Sequence, residues 1–290
     1  MKSISPGSGR HERTRKCPVS RGEMSRCLYL QIFPAGFWLS RCLVISVALV
    51  MLISFPGLFR CAASASTGPS SREVPSSLRS LRAIASVAPS LTRDLEAMGL
   101  EYGSPIFMRA FKEERELEIW VENDGVFHLF RVYPVAGLSG WLGPKRYRGD
   151  LQAPEGFYRV TPSQMNPDSR FHLAFDLGYP NEYDRARHRT GSSLMIHGRE
   201  TSRGCFAMTD EAMEEIYALA DAALRNGQEA FYVHSFPFRM TDKNMEFFRE
   251  YRWYSFWANL RTGHDLFEKT RRPPEVSVED GVYVFNPCSG

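Results

Sequence analysis

Two neighbouring segments of alternating apolar and polar residues place the strongest constraint on the fold of this chain. Residues 117–121 and 126–133 both alternate with a period of two, which is typical of β-strands that bury one face. The run Asn123-Asp124-Gly125 between them is typical of a tight turn joining two antiparallel strands. The sequence therefore predicts a β-hairpin over these residues.

Shorter apolar segments predict further strands. One of them ends at His197, so we expect a strand that delivers this histidine at its end. Another is stopped by Pro237, because proline cannot donate to a strand ladder. The additional strands are predicted at residues 156–160, 171–175, 193–197 and 230–236.

Three segments predict helices. Residues 66–89 are predicted to form a linker, and a short amphipathic helix follows at residues 90–99. A second helix covers residues 209–227 and carries acidic residues in its first turns, where they suit the positive end of the helix dipole. A third helix with an aromatic face covers residues 241–260 and is expected to end before Gly263.

Composition places the chain among globular proteins, with 43% hydrophobic and 24% charged residues. The formal net charge is +3, but the basic excess is concentrated in the first 65 residues, and the remainder is slightly acidic. A slightly acidic body without a basic stripe argues against nucleic acid as a partner.

The N-terminal 65 residues carry the pattern of an export signal. Basic residues precede the apolar run at residues 43–55, whose length suits the hydrophobic region of a signal peptide. The small-x-small run Ala63-Ser64-Ala65 follows and is typical of a cleavage site. Residues 1–65 are therefore predicted to be a signal peptide. An uncleaved N-terminal membrane anchor is the alternative, because residues 27–39 are also apolar.

The run at residues 195–208 carries the chemistry of the chain. It sets His197 eight positions before Cys205, with Gly198 after the histidine and Gly204 before the cysteine. A thiol is a strong nucleophile only as thiolate, and a nearby imidazole is the usual group that takes its proton. Glycines let the backbone approach a substrate and aim N–H groups at a developing oxyanion. The run therefore predicts acyl transfer.

These residues resemble the motif of the L,D-transpeptidase catalytic domain (the YkuD fold), which has a His-Gly pair upstream of Ser/Thr-x-Gly-Cys. Here the motif reads His197-Gly198 and Ser202-Arg203-Gly204-Cys205. The short spacing is similar to that of the YafK-like branch of murein L,D-transpeptidases. Arg203 stands where other members often have a second histidine, so the role of that histidine does not transfer. The resemblance spans roughly residues 91–285 and includes residues 149–158, 177–186, 189–192, 236–241 and 267–273.

The resemblance implies a mainly β fold with helices (α+β), a YkuD-like, mostly antiparallel β-sandwich with a helical C-terminal addition. The expected organisation is an N-terminal signal or anchor at residues 1–65, a linker and short helix at 66–100, the catalytic domain at 101–240, and a helical extension and tail at 241–290.

The same resemblance implies a thioester mechanism on peptidoglycan stem peptides, with Cys205 as nucleophile, His197 as general acid and base, and no cofactor. Transfer of the acyl group to another stem is one outcome. Transfer to or release of an envelope lipoprotein linked to peptidoglycan is another, and in that case the chain acts on a protein partner as transferase or hydrolase. An exported enzyme of this kind is expected in the periplasm or cell envelope.

The turn before the nucleophile is expected to stabilise the oxyanion. The backbone N–H groups of Cys205 and Gly204 are the candidate donors, and Ser202 either contributes or only holds the turn. Gly198 is expected to have a backbone role beside the substrate. The start of the helix at Thr209 is expected to lower the pKa of Cys205.

Arginines near the motif suit the carboxylates of a wall peptide, because guanidinium groups bind carboxylates through two parallel hydrogen bonds. Arg185, Arg189 and Arg203 are the candidates, with Tyr183 beside them, and the loop at residues 179–191 is expected to edge the cleft. Ordinary surface arginines are the alternative interpretation.

Two interpretations compete with the enzyme at this stage. The fold could serve as a catalytically idle wall-binding module. A disulfide between Cys205 and Cys288 could silence the nucleophile, although Cys288 is the third residue from the end, in a tail expected to be loose. His234, on an apolar strand, is expected to be a core residue. The remaining histidines have no metal-ligand spacing, so no metal is predicted.

Overall fold

The computed structural model describes residues 73–287. The predicted signal or anchor at residues 1–65 and Cys288 both lie outside the described residues. Within the described range, no helix combines the length and the apolar character needed to cross a membrane.

The described chain alternates short strands with five α-helices. The helices are α1 (Leu78–Glu96), α2 (Glu182–Ala186), α3 (Asp210–Arg225), α4 (Asp242–Phe247) and α5 (Tyr254–Thr270). The strands are β1 (Ile106–Phe111), β2 (Glu116–Asn123), β3 (Val126–Pro134), β4 (Gly137–Leu138), β5 (Gly156–Val160), β6 (Met165–Asn166), β7 (Ala174–Asp176), β8 (Met195–His197), β9 (Phe206–Ala207), β10 (Phe231–Phe236), β11 (Glu275–Glu279) and β12 (Val282–Asn286).

The first sheet has five strands in the order β3-β2-β1-β10-β5, and only the β1–β10 pair within it is parallel. The predicted hairpin is confirmed as β2 and β3. Its turn places Asp124 and Gly125 at φ of +51° and +79°, a region that aspartate and glycine tolerate better than most residues.

The second sheet has five short strands in the order β4-β9-β8-β7-β6, with β8 and β9 parallel. The two sheets contribute to one hydrophobic core together with α3. Phe175 of β7 meets Phe231 of β10 edge to face, with ring centroids 5.2 Å apart. The predicted α+β class is confirmed, and the sheets are mixed.

The helix predicted at residues 209–227 is present as α3. The side chain of Thr209 accepts a hydrogen bond from the backbone N–H of Ala212, and the helix ends at Asn226. Its apolar face, including Met213, Ile216 and Leu219, is buried in the shared core. Local capping and periodicity agree here with the packing, which is why the sequence predicts this helix well.

The N-terminal helix is longer than predicted, and the linker assignment is wrong from residue 78 onward. α1 starts after Ser77, whose side chain accepts from the backbone N–H of Ser80. Pro89 lies inside the helix, where sequence reasoning favoured a boundary. Packing of α1 on α3 buries Leu91 and Leu95 completely, and this burial outweighs the hydrogen bond that proline removes.

The C-terminal region differs from the single helix predicted at residues 241–260. It contains α4 and α5, and the strands β11 and β12 that follow pair as a hairpin, which the sequence analysis did not predict. α5 runs past Gly263, where the absence of a side chain lets the helix approach Phe157 and Phe285 closely. Phe267 of α5 packs on Phe107 of β1, so this addition covers the outer face of the first sheet.

Candidate active site

Strand pairing brings the two motif residues to one place. In the parallel pair β8–β9, Ile196 lies opposite Phe206 and His197 lies opposite Ala207. Cys205 immediately precedes β9, so the same register sets it opposite Met195, two residues before His197 on β8. Because side chains alternate between the two faces of a sheet, Cys205 and His197 lie on the same face. Both side chains line one cleft of about 590 Å³.

The cleft has a second wall that the sequence analysis missed, the connection between β6 and β7. The residues that line the whole cleft are Asn166, Asp168, Ser169, Arg170, Phe171, Ser193, Met195, His197, Thr201, Arg203 and Cys205, and the first five of them form this second wall. A turn signal, Pro167-Asp168-Ser169, marks this connection in the sequence, but nothing local predicts which element it faces.

His197 is buried and oriented by the backbone. Its Nδ1 lies 2.6 Å from the carbonyl oxygen of Gly198, so Nδ1 carries the proton and donates it, which leaves Nε2 as the basic nitrogen. The ring stacks on Phe171, with centroids 4.6 Å apart. Burial lowers the pKa of His197 below its usual value of 6.5, Arg170 lowers it further, and the Gly198 carbonyl opposes them. The imidazole is therefore neutral at neutral pH and can accept a proton.

Gly198 is required by close packing as well as by its carbonyl. A Cβ on Gly198 would lie 2.6 Å from Oδ1 of Asp210 and 3.0 Å from both Cβ of His172 and the carbonyl oxygen of Phe171. The backbone of Gly198 orients His197 at the point where β8 meets the start of α3, and the role expected for it beside the substrate stays a prediction.

Cys205 has a partly buried side chain and carries a free thiol. Burial raises its pKa above the ordinary value of 9.0, and the nearby Asp176 carboxylate also raises it. A hydrogen bond from the backbone of Met195 and the charges of Lys145 and Arg170 lower it, but burial prevails. The thiol of Cys205 and the imidazole of His197, which line the same cleft, are therefore both neutral at neutral pH.

This direction corrects the expectation that the start of α3 would lower the pKa of Cys205. The first turn of α3 is directed at the segment after His197, where Asp210 accepts the backbone N–H of Arg199 at 2.8 Å. The thiol instead lies beside Met195, the first residue of β8, and Ser193, which precedes that strand, with Sγ 3.8 Å from the carbonyl oxygen of Ser193.

The turn before Cys205 is held by its own hydrogen bonds. The hydroxyl of Ser202 donates to the carbonyl oxygen of Cys205 at 2.6 Å, so Ser202 holds the turn. Gly204 has φ of +105°, and its N–H donates to Oγ of Ser139 at 2.7 Å. The expectation that the Gly204 N–H serves the oxyanion is corrected, because this donor is already engaged.

Of the arginines predicted to bind substrate, only Arg203 lines the cleft. Arg189 pairs with the buried Asp184 at 2.8 Å, because a carboxylate removed from water needs a countercharge. Arg185 donates to the carbonyl of Pro180, and Tyr183 is buried. These three residues and the loop at 179–191 do not form the cleft, which corrects the prediction.

The start of α1 holds the missed wall in place. The hydroxyl of Ser77 donates to the carbonyl oxygen of Pro167 at 2.9 Å. Nη1 of Arg79 donates to the carbonyl oxygens of Ser169 and His172, at 2.6 and 2.8 Å. These bonds bracket Phe171, so the N-terminal helix positions the ring that stacks on His197.

His234 lies away from this site. His234 is fully buried between Phe107 and Phe157, as expected for a core residue, with ring centroids 4.6 Å from each. Across residues 73–287, no group of three or more histidine, cysteine, aspartate or glutamate side chains is arranged to hold a metal ion.

Comparisons with known proteins show the family of the chain. The family model for the L,D-transpeptidase catalytic domain (YkuD) matches residues 109–225. The protein named "Putative L,D-transpeptidase YafK" from Escherichia coli K12 is 40% identical over 244 residues, which cover 84% of this chain and 89% of that protein. The protein of the same name from E. coli O157:H7 matches with the same identity and coverage.

Two solved structures are also similar in part. The helical cell shape determining protein Pgp2 from Campylobacter jejuni is 20% identical with a TM-score of 0.38, covering 66% of this chain and 80% of that one. Bd1075 of Bdellovibrio bacteriovorus is 17% identical with a TM-score of 0.35, covering 61% and 78%. With the 40% identity over most of both chains and the matching catalytic-domain model, this chain belongs to the L,D-transpeptidase family with a YkuD-type catalytic domain.

Proposed function

We propose that this chain is a cysteine acyl-transferase that acts on peptidoglycan stem peptides, with Cys205 as the nucleophile and His197 as general base and acid. One observation carries the proposal. Cys205 and His197 line the same cleft, and the Gly198 carbonyl binds Nδ1 of His197, which leaves Nε2 available to take a proton.

The first half-reaction forms a thioester. Nε2 of His197 takes the thiol proton as Sγ of Cys205 attacks the carbonyl carbon between the diamino acid and the terminal D-alanine of a stem tetrapeptide. The backbone N–H of Cys205 stabilises the tetrahedral oxyanion, an interaction whose loss typically costs about 2.7–4 kcal/mol. The C–N bond then breaks, and the imidazolium returns its proton to the amine of the departing D-alanine.

The directions of the two pKa values support this order of events. Burial raises the pKa of Cys205 and lowers that of His197, so the resting pair is neutral. Proton transfer therefore accompanies attack on the substrate. A neutral pair also protects an accessible thiol from oxidation until a substrate enters, because the thiolate is the reactive form.

The second half-reaction decides the product. An amine from a second stem would attack the thioester, regenerate the thiol and form a cross-link. A lysine of an envelope lipoprotein would give an anchored protein. If water attacks the thioester, the chain is a hydrolase. Our second proposed function is this hydrolase acting on a stem linked to a lipoprotein, so that formation of the thioester releases the lipoprotein. The dyad performs all three reactions in the same way.

The location of the reaction follows from the substrate. Peptidoglycan lies outside the cytoplasmic membrane, so we propose that residues 1–65 export the chain to the cell envelope. They would act as a cleaved signal or remain as an anchor.

Trapping the acyl-enzyme tests the proposal. Reduced full-length protein is incubated with a synthetic stem tetrapeptide, and intact-protein mass spectrometry measures the adduct while chromatography measures free D-alanine. We expect a tripeptide adduct on Cys205 and none in Cys205→Ala. A dimer, a protein conjugate or a free tripeptide then identifies the acceptor. Peptide binding without any adduct on the folded, reduced protein would instead make the chain a wall-binding module.

A further inference from the structure

Two surface clefts join beside the nucleophile's turn. One is about 500 Å³ and the other about 510 Å³, and they share Arg146, Tyr147, Arg252 and Trp253 among their lining residues. We call their joint surface the basic groove, defined by Trp141, Arg146, Tyr147, Arg187, Arg252 and Trp253. None of these residues lines the cleft that contains Cys205 and His197.

A buried ion pair holds Gly143, whose neighbours Leu142 and Pro144 line the basic groove. Lys112 and Glu155 are almost completely buried and pair at 2.9 Å. Lys112 donates to the carbonyl oxygen of Gly143 at 2.8 Å, and Glu155 accepts the N–H of Gly143 at 2.7 Å and Nε1 of Trp257 at 2.8 Å. Burying two charges is costly, and here it ties an exposed loop to α5. Trp253 packs directly on Gly143.

The rim of the groove exposes aromatic rings on this fixed support. Trp141 is 84% exposed and Tyr147 is 59% exposed. The ring of Trp253 lies near two guanidinium groups, 5.8 Å from that of Arg146 and 5.0 Å from that of Arg252. Large aromatic side chains presented to solvent by a rigid loop are typical of binding sites.

The charge of the groove is positive and largely uncompensated. Among the described residues that line the two clefts, Asp150 is the only one with a carboxylate. This carboxylate pairs with Lys145 and accepts hydrogen bonds from the backbone N–H groups of Arg146 and Tyr147. Within residues 73–287, no carboxylate lies within ion-pair distance of Arg146 or Arg252. These two guanidinium groups are free to bind an anion.

The groove reaches the catalytic turn through Ser139 and Gln152. Oγ of Ser139 accepts the N–H of Gly204, the residue immediately before Cys205. The carbonyl oxygen of Gln152 lies 3.1 Å from the position that a Cβ on Gly204 would take. Both residues also line the cleft of about 500 Å³, which is one of the two clefts that form the basic groove. A ligand that fills this cleft therefore ends beside the turn that precedes Cys205.

We propose that the basic groove binds a carboxylate-bearing glycopeptide segment of the wall polymer and holds it next to Cys205. This inference rests on the proposed function. The cationic residues that line the groove beside its aromatic rings are arginines, whose planar fork suits carboxylates, and the rings offer flat apolar faces on which sugar rings pack. The groove thereby distinguishes the polymer from a free stem peptide, which needs only the cleft.

The test compares polymer with soluble peptide. Full-length protein carrying Arg146→Ala and Arg252→Ala together, and a second variant with Trp141→Ala, are compared with Arg159→Ala. Arg159 is an exposed arginine that lines a separate cleft. Sedimentation with purified peptidoglycan sacculi measures binding at low and high salt. Mass spectrometry measures acylation of Cys205 by sacculi and by the synthetic tetrapeptide, and thermal melting checks folding.

We expect the double variant to bind sacculi at least about tenfold more weakly than the parent, with a smaller dependence on salt. Its ratio of acylation by sacculi to acylation by tetrapeptide should fall by a similar factor, and Arg159→Ala should change neither quantity. Equal binding and an equal ratio in a folded double variant would overturn the inference while leaving acylation, and so the proposed function, intact.

A lipid source is tested in parallel. Vesicles of phosphatidylglycerol and phosphatidylcholine are offered to the same proteins. Binding to these vesicles that depends on Arg146 and Arg252, without any loss of sacculus binding in the double variant, would replace the glycopeptide with an anionic membrane surface. If the parent itself forms no acyl adduct with any donor, the proposed function fails, whereas loss of sacculus binding in the double variant would still locate the wall-binding surface.

Discussion

His197 and His234 are both buried histidines on β-strands, but their ring nitrogens meet different surroundings. His197 ends β8, binds the Gly198 carbonyl through Nδ1 and lines an open cleft. His234 lies within β10 between phenylalanine rings, and neither of its ring nitrogens has a hydrogen-bond partner in the described structure.

Burial lowers the pKa of both imidazoles, so a lowered pKa does not by itself identify a catalytic base. The two sites differ in orientation and access. One nitrogen of His197 is bound by a fixed carbonyl and the other is left for a substrate, whereas His234 has no carbonyl and no cleft. A backbone acceptor and an open approach therefore separate His197, the proposed base, from His234.

The largest expected effect comes from replacing His197, with a replacement of His234 as the comparison. His197→Gln should lower the rate of acylation by about 10²–10⁴-fold, because general base catalysis typically contributes that much. His234→Leu should retain activity, since this ring touches neither the cleft nor Cys205. Single-turnover acylation followed by mass spectrometry measures both. A fully active His197→Gln would contradict the assigned base.

A smaller effect should follow from misaligning His197 without removing it. Gly198→Ala places a Cβ against Asp210, His172 and the carbonyl of Phe171, so the backbone must shift. A displacement of about 1 Å at a reacting group can cost about 10²-fold in rate. We expect a lower kcat together with a lower melting temperature. An unchanged kcat in the variant would show that the carbonyl of Gly198 does not orient the ring.

Removing the hydrogen bonds that support Phe171 should lower kcat by less than Gly198→Ala does. Arg79→Ala loses the hydrogen bonds to Ser169 and His172, and the ring that stacks on His197 becomes less ordered. We expect roughly a tenfold loss of kcat with little change in KM, within the range that misplacement of a catalytic group causes. Arg82→Ala is the matched control, because Arg82 is exposed on the next turn of α1 and lines the same surface cleft. Equal rates in the two variants would remove α1 from the catalytic account.

The smallest effect concerns stability and pH. Burial lowers the pKa of His234 well below 6.5, and the charges of Arg109 and His264 add to this. Below pH 6.5 His234 binds a proton in the unfolded chain but stays unprotonated in the folded chain. This residue therefore lowers the free energy of unfolding as pH falls. The stability advantage of His234→Leu over the parent should therefore grow between pH 7.5 and pH 5, as urea unfolding measures. If the difference in unfolding free energy between His234→Leu and the parent stayed constant across that range, the lowered pKa of His234 would be refuted.

The sequence was sufficient where local signals and packing agree. The β2–β3 hairpin was predicted because its turn residues and its alternation both require it. α3 was predicted because Thr209 and the apolar periodicity mark the same helix. α1 was predicted too short because Pro89 is a local breaker, and only burial against α3 reverses that signal.

For the site, the sequence by itself identified His197 and Cys205 through their motif, and the β8–β9 register sets the two side chains on one face of the second sheet. Tertiary structure alone decided the rest. Arg189 is held by Asp184, Phe171 reaches His197 from another hairpin, and the basic groove joins three distant segments. The physical reason is that a strand register follows from local pairing, whereas a countercharge, a stacked ring or a shared surface depends on contacts between residues far apart in the chain.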